Sequence, residues 1–183
     1  NEIANISDLI GADIDFVKRG LGSDRRIGNS FINPGAGYGG SCFPKDVKAL
    51  ISKAKDLGYD PKLLRATDLV NKRQKLINFN KIFKRFGGDL KGKKFAVWGL
   101  SFKPETDDVR ESPSIELIKK LIKSKALVSV FDPKASENFK KIMPKNQGIQ
   151  YMASKESCLE NSDALIIMTE WKDFEIDNKN IFE

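Results

Sequence analysis

Apolar residues recur at helical spacing through the first 86 positions and then change to short continuous runs. Ile3, Ile6, Leu9 and Ile10 share one helical face, and Gly11 provides a stop. Asp13 is placed to cap a second helix carrying Ile14, Phe16, Val17 and Leu21. Residues 24 to 41, rich in Gly, Asn and Pro, read as a long loop. The next helix runs from about Pro44 to Leu57, with proline in its first turn and Gly58 as its stop. One further helix is expected from near Pro61 toward Phe86, ended by Gly87-Gly88. That pair is the expected domain boundary, giving a helical domain over 1–88 and a second domain over 89–183.

In the second domain, Phe95-Ala96-Val97-Trp98-Gly99-Leu100 reads as a buried strand. Ser112-Pro113 opens a helix whose apolar side is Ile115, Leu117, Ile118, Leu121 and Ile122. Leu127–Phe131 is the next strand, closed by Asp132-Pro133. A short helix around Lys155 to Glu160 precedes a third strand, Ala164–Met168. Strands alternating with helices predict a parallel sheet. The overall class is therefore α/β, an all-helical part followed by a Rossmann-like parallel sheet. Such sheets bind ligands at the carboxyl ends of their strands, here Ser101–Glu111, Asp132-Pro133 and Thr169–Trp171.

Composition narrows the chemistry. The 183 residues include no histidine and two distant cysteines, Cys42 and Cys158. Histidine-based triads and zinc-spaced clusters are excluded, a metal is not expected, and a disulfide framework is not expected either. A cytoplasmic setting follows from that cysteine usage. No apolar run reaches the roughly 18 residues of a membrane span. Asn1 opens directly into a helical pattern and 178–183 do not resemble a designed end, so the chain reads as cut at both ends. The net charge of +7 fits solvated helix faces, or attraction to phosphate. With no nucleic-acid motif accompanying the charge, a small phosphorylated ligand is favoured over DNA or RNA.

The run Gly35-Ala36-Gly37-Tyr38-Gly39-Gly40-Ser41-Cys42-Phe43-Pro44-Lys45-Asp46 carries the candidate chemistry. Its glycines spell G-x-G-x-x-G but follow a loop rather than a strand, so they are not a dinucleotide fingerprint. They are expected to wrap around a sugar or phosphate. Cys42 precedes a helix N-terminus, where partial positive charge favours a thiolate, and Lys45 adds a cation. Asp46 either favours the helix start or positions a water. Cys158 is assigned to packing. A second candidate segment, Gly99 to Pro113, leaves a strand end and presents Lys103 and Arg110. Those cations are either ligand contacts or local partners of Asp107, Asp108 or Glu111.

These segments, with Asp24–Asn29, Asp132-Pro133-Lys134 and Thr169-Glu170-Trp171, resemble the UDP-glucose/GDP-mannose dehydrogenase family. The resemblance spans essentially the whole chain. It implies the family's helical middle domain and most of its nucleotide-sugar-binding domain, without the NAD-binding domain. It further implies oxidation of a sugar C6 alcohol to a carboxylate with NAD, through a covalent adduct on Cys42, with Asp46 assisting water. By the same resemblance Lys45 and Arg110 contact the cofactor. Tyr38, Gly39, Phe102, Lys103 and Phe31 hold the nucleotide sugar, and Arg26 reaches it across a homodimer interface. Phe43 after the cysteine favours UDP-glucose as substrate, over GDP-mannose. A stand-alone nucleotide-sugar-binding or dimerisation module is the alternative of another class.

Overall fold

The computed structural model describes residues 1–145 and 148–175; the terminal residues 178–183 quoted above lie outside that range. Five helices come first: α1 (Glu2–Ile10), α2 (Ile14–Gly22), α3 (Phe43–Asp56), α4 (Lys62–Gln74) and α5 (Ile77–Arg85). The stops and caps act as the sequence suggests. Gly11 takes a left-handed conformation after α1, and the Asp13 side chain accepts from the Asp15 amide at the start of α2. The span from Pro61 to Phe86 is two helices rather than one. The break falls at Lys75-Leu76, where the Leu76 amide bonds back to Arg73 in a tighter turn. At this break the Lys75 side chain reaches Glu111 of the sheet domain, a long-range pairing that local periodicity does not encode.

The second half contains β1 (Lys94–Trp98), α6 (Pro113–Lys123), β2 (Leu127–Phe131), α7 (Ser136–Ile142), β3 (Ile149–Tyr151), α8 (Lys155–Leu159) and β4 (Ala164–Ile167). The strands form one parallel sheet in the order β3-β2-β1-β4. Helix α7 and strand β3 were not expected from the sequence. Both are short, and β3 offers only three residues of pattern.

Alternation along β1 sends its side chains to two faces. Phe95 and Val97 join the larger core with Leu117, Ile118 and Leu121 of α6, Val128, Val130, Phe139 and Ile149. Ala96 and Trp98 join a smaller one with Cys158, Trp171 and Phe174. Phe79, Ile82 and Phe86, on and just after α5, pack against the larger core, so that core draws on residues before Gly87-Gly88. Chain order reverses between β1 and β4, which places the sheet's topological switch point there. The Gly99 backbone, at φ 94°, crosses so near Thr169 that a Cβ would lie 2.6 Å from it. Among the described residues, no helix is long and apolar enough to cross a membrane.

Candidate active site

Cys42 is the residue before the first turn of α3, a free and exposed thiol. Its carbonyl accepts the first bond of the helix, from the Asp46 amide at 2.9 Å, so the two residues stand one turn apart. The Lys45 ammonium lies 2.9 Å from the Asp46 carboxylate, both exposed. Asp46 first, and Cys42 more weakly, raise the pKa of Lys45. Arg110 is raised chiefly by Asp108, which its guanidinium grips at 2.8–3.1 Å, and again more weakly by Cys42. The thiol, two cations and a carboxylate thus share one electrostatic neighbourhood, although Arg110 comes from the sheet domain.

The glycine run enters α3 from a loop and not from a strand, in keeping with the rejection of a dinucleotide fingerprint. Its glycines differ from the expected ligand wrap in one respect. At three positions the space that a side chain would need is filled by protein. A Cβ on Gly39 would lie 2.5 Å from the Glu111 carbonyl oxygen. One on Gly40, at φ 91°, would lie 2.8 Å from the Phe102 ring, and one on Gly37 would meet the Asn71 amide. The Gly40 amide donates to the Arg110 carbonyl at 2.8 Å. Gly39 and Gly40 let the loop lie flat on the segment that follows β1, and Gly37 lets it approach the end of α4.

Helix α4 grips the same loop from the other side with Asn71 and Gln74. The Asn71 amide accepts from the Tyr38 N–H at 2.8 Å and donates to the Tyr38 carbonyl at 3.0 Å. Gln74 donates to the Gly35 carbonyl and accepts from Asn5 of α1. The Tyr38 ring meets Phe43 edge-on at 4.6 Å, and its hydroxyl is buried without a partner. Burial is the first cause raising its pKa.

Phe102 is half-buried under the glycines, with the Lys103 ammonium 5.6 Å from its ring centre. Arg26 and Phe31 stand in loop 24–42. The Arg26 guanidinium bonds Asp24 at 2.6 Å, and Phe31 is fully exposed at φ 61°. Cys158 is buried in the smaller core, and burial pushes its thiol up to about 12, as its assignment to packing requires.

Two organising carboxylates escaped the sequence reading. Asp132, at the end of β2, is buried. It accepts from the amides of Leu100, Ser101, Lys134 and Ala135 and from the Trp171 indole. It ties together the loops at the ends of β1, β2 and β4. Glu111 receives Lys48 of α3 at 2.9 Å and Lys75 at 2.8 Å, which hold its carboxyl down at about 2. A partial signal existed: Asn71, Gln74 and Lys75 form a polar i, i+3, i+4 set inside an otherwise amphipathic helix.

Two family models match the chain. The UDP-glucose/GDP-mannose dehydrogenase family central domain covers residues 1–73, and that family's UDP binding domain covers 96–183. A UDP-glucose 6-dehydrogenase of Pseudomonas aeruginosa is 45% identical over 177 residues, covering 95% of this chain and 39% of that protein. The UDP-glucose 6-dehydrogenase YwqF of Bacillus subtilis is 43% identical over 173 residues, covering 94% and 39%. Among solved structures, a UDP-glucose dehydrogenase from Pyrobaculum islandicum superposes with a TM-score of 0.90 at 34% identity, covering 95% of this chain and 40% of that one. The chain therefore spans about two fifths of the length of these relatives.

Proposed function

The chain belongs to the UDP-glucose/GDP-mannose dehydrogenase family, and from that premise we propose that it supplies the thiol and substrate side of an NAD-dependent oxidation of UDP-glucose to UDP-glucuronate. The observation that carries this reading is the shared neighbourhood of Cys42, Lys45, Asp46 and Arg110, assembled from both halves of the chain. We also draw the division between the halves after Gly88, and take the setting as cytoplasmic on the free state of both cysteines.

Cys42 Sγ adds to the C6 aldehyde carbon, and the former carbonyl oxygen takes a proton, giving a thiohemiacetal on this chain. The oxidised form of that adduct is a thioester. Water attacks the thioester, Asp46 accepts a proton from it, the carbon–sulfur bond breaks and the acid leaves with the thiol restored. Bound NAD would supply the hydride acceptor for each oxidation. Lys45 and Arg110 suit its edge. Both are exposed cations beside Cys42, and each is balanced only by an adjacent carboxylate, Asp46 or Asp108. Phe102, Lys103, Tyr38 and the Gly39 backbone would hold the nucleotide sugar. Arg26 and Phe31 would complete that site across a homodimer. The exposure of Ile3, Ile6, Leu9, Ile10, Phe16 and Leu63 on the helices supports such a second copy.

The test is Cys42→Ser in the complete enzyme. UDP-glucuronate formation should vanish, and acid production at the parental rate would overturn the assignment of the nucleophile. Calorimetry of the 183-residue chain with UDP-glucose should show binding without NAD turnover.

A further inference from the structure

Four contacts converge on one short stretch, Arg110-Glu111, at the seam between the helices and the sheet. The Arg110 carbonyl accepts the Gly40 amide, and the Glu111 carbonyl accepts the Lys75 ammonium at 2.9 Å. The Glu111 carboxylate bridges Lys75 at 2.8 Å and Lys48 at 2.9 Å. The neighbouring charges are engaged elsewhere: Arg110 with Asp108 and Asp68 with Lys72. Tyr38 and Asp68 also bear electrostatically on Lys48. The Lys75 side chain is only 8% exposed, so removing the Glu111 carboxylate would leave its ammonium buried against the Glu111 carbonyl without a counter-charge. Glu111 adopts φ 54°, an unfavourable conformation for a residue with a side chain, and the contacts around it over-determine it.

Lys48 and Cys42 lie on the same helix, six residues or about 9 Å of rise apart. A tether at Lys48 therefore sets the tilt of the helix that presents the thiol. We propose that Glu111 is a positioning residue for Cys42, latching α3 through Lys48, and the end of α4 through Lys75, onto the ligand edge of the sheet. The proposal rests on the reading of Cys42 as the nucleophile. It adds the element that aims it. Phe102, Lys103 and Arg110 belong to the sheet domain and Cys42 belongs to the helices, so the latch sets the distance between sugar and thiol. Small misplacements at this distance are costly in an oriented reaction.

The experiment uses the 183-residue chain and its Glu111→Gln, Glu111→Asp and Lys75→Met variants. Native-state hydrogen exchange is read at the Gly40 amide, which bonds across the seam, and at Val97 and Val130 in the sheet core. Cys42 alkylation by iodoacetamide is followed with and without UDP-glucose. In Glu111→Gln and Lys75→Met, exchange at Gly40 should rise about tenfold or more while the core amides hold their rates. UDP-glucose should shield Cys42 in the parent but not in Glu111→Gln, and Glu111→Asp should restore most of the shielding. Unchanged exchange at Gly40, or loosening of Val97 and Val130 in step with it, would overturn the positioning role. Absence of shielding in the parent would count against the proposed function, while the exchange comparison still judges the latch by itself.

Discussion

The two halves of this molecule hold their shape by different means. Among the described residues, every buried aliphatic, aromatic or methionine side chain lies between Leu90 and Phe174. The buried residues of the helical half are instead small or polar: Ser7, Asn71, Gln74 and Lys75, with glycines and prolines at the turns. Many of its large apolar side chains face outward, Leu9 at 86% and Leu63 at 84% exposure. The sheet domain is stabilised by apolar area removed from water, which needs no exact partner. The helical half is held to it by directional polar contacts around Glu111 and by the packing of Phe79, Ile82 and Phe86 against the sheet core. A site built across that seam depends on both kinds of contact.

The sharpest test of this contrast compares apolar truncations. Phe95→Ala in the sheet core should cost about 3–5 kcal/mol, whereas Leu63→Ala in the isolated chain should stay within about 0.5 kcal/mol. Urea unfolding of both variants measures the difference. Asp132→Asn comes next, because an amide would face the N–H donors that a carboxylate now satisfies. A loss of about 3 kcal/mol is expected, at the upper end for hydrogen bonds to a charged group. Amide shifts should concentrate at Leu100, Ser101, Ala135 and Trp171.

Gly39→Ala should cost about 1–3 kcal/mol as an overpacking change. Its effect should be local, releasing the Cys42 loop from the Glu111 carbonyl and leaving the sheet's melting transition in place. Acidification should act on the seam before the core. The Glu111 carboxyl sits at about 2 against an ordinary 4.5, so its contribution is complete above pH 4.5 and is lost as pH falls toward 2. Exchange at the Gly40 amide, followed across that window, reads the loss, and Glu111→Gln should flatten the profile. The smallest effect is expected from Tyr38→Phe. Its hydroxyl is buried with no partner, so the variant should be neutral or up to about 1 kcal/mol more stable in thermal melts.

Local signals carried well into the structure. Gly11, Asp13, Ser112-Pro113 and the apolar runs of β1, β2 and β4 each mark their element within a residue or two, because capping and periodicity act over one turn or one pleat. Cys42, Lys45 and Asp46 were legible as a group because a helix start places them within one turn. The break in the helix at Lys75-Leu76 was not legible, and the joining of Arg110 to Cys42 was implied only by the family resemblance, not by local pattern. Both depend on partners more than 30 residues away.

What the chain dictated by itself is the alternation of elements, the parallel sheet and the pairing of a thiol with a helix N-terminus, since these follow from neighbours in sequence. What only the tertiary structure decided is the use of the glycines and acids between them. Gly39 and Gly40 clear room for Phe102 and Glu111, and Asp132 and Glu111 satisfy donors from distant segments. The physical reason is reach. A missing Cβ or a carboxylate states what it permits, and only folding brings up the atoms that use it.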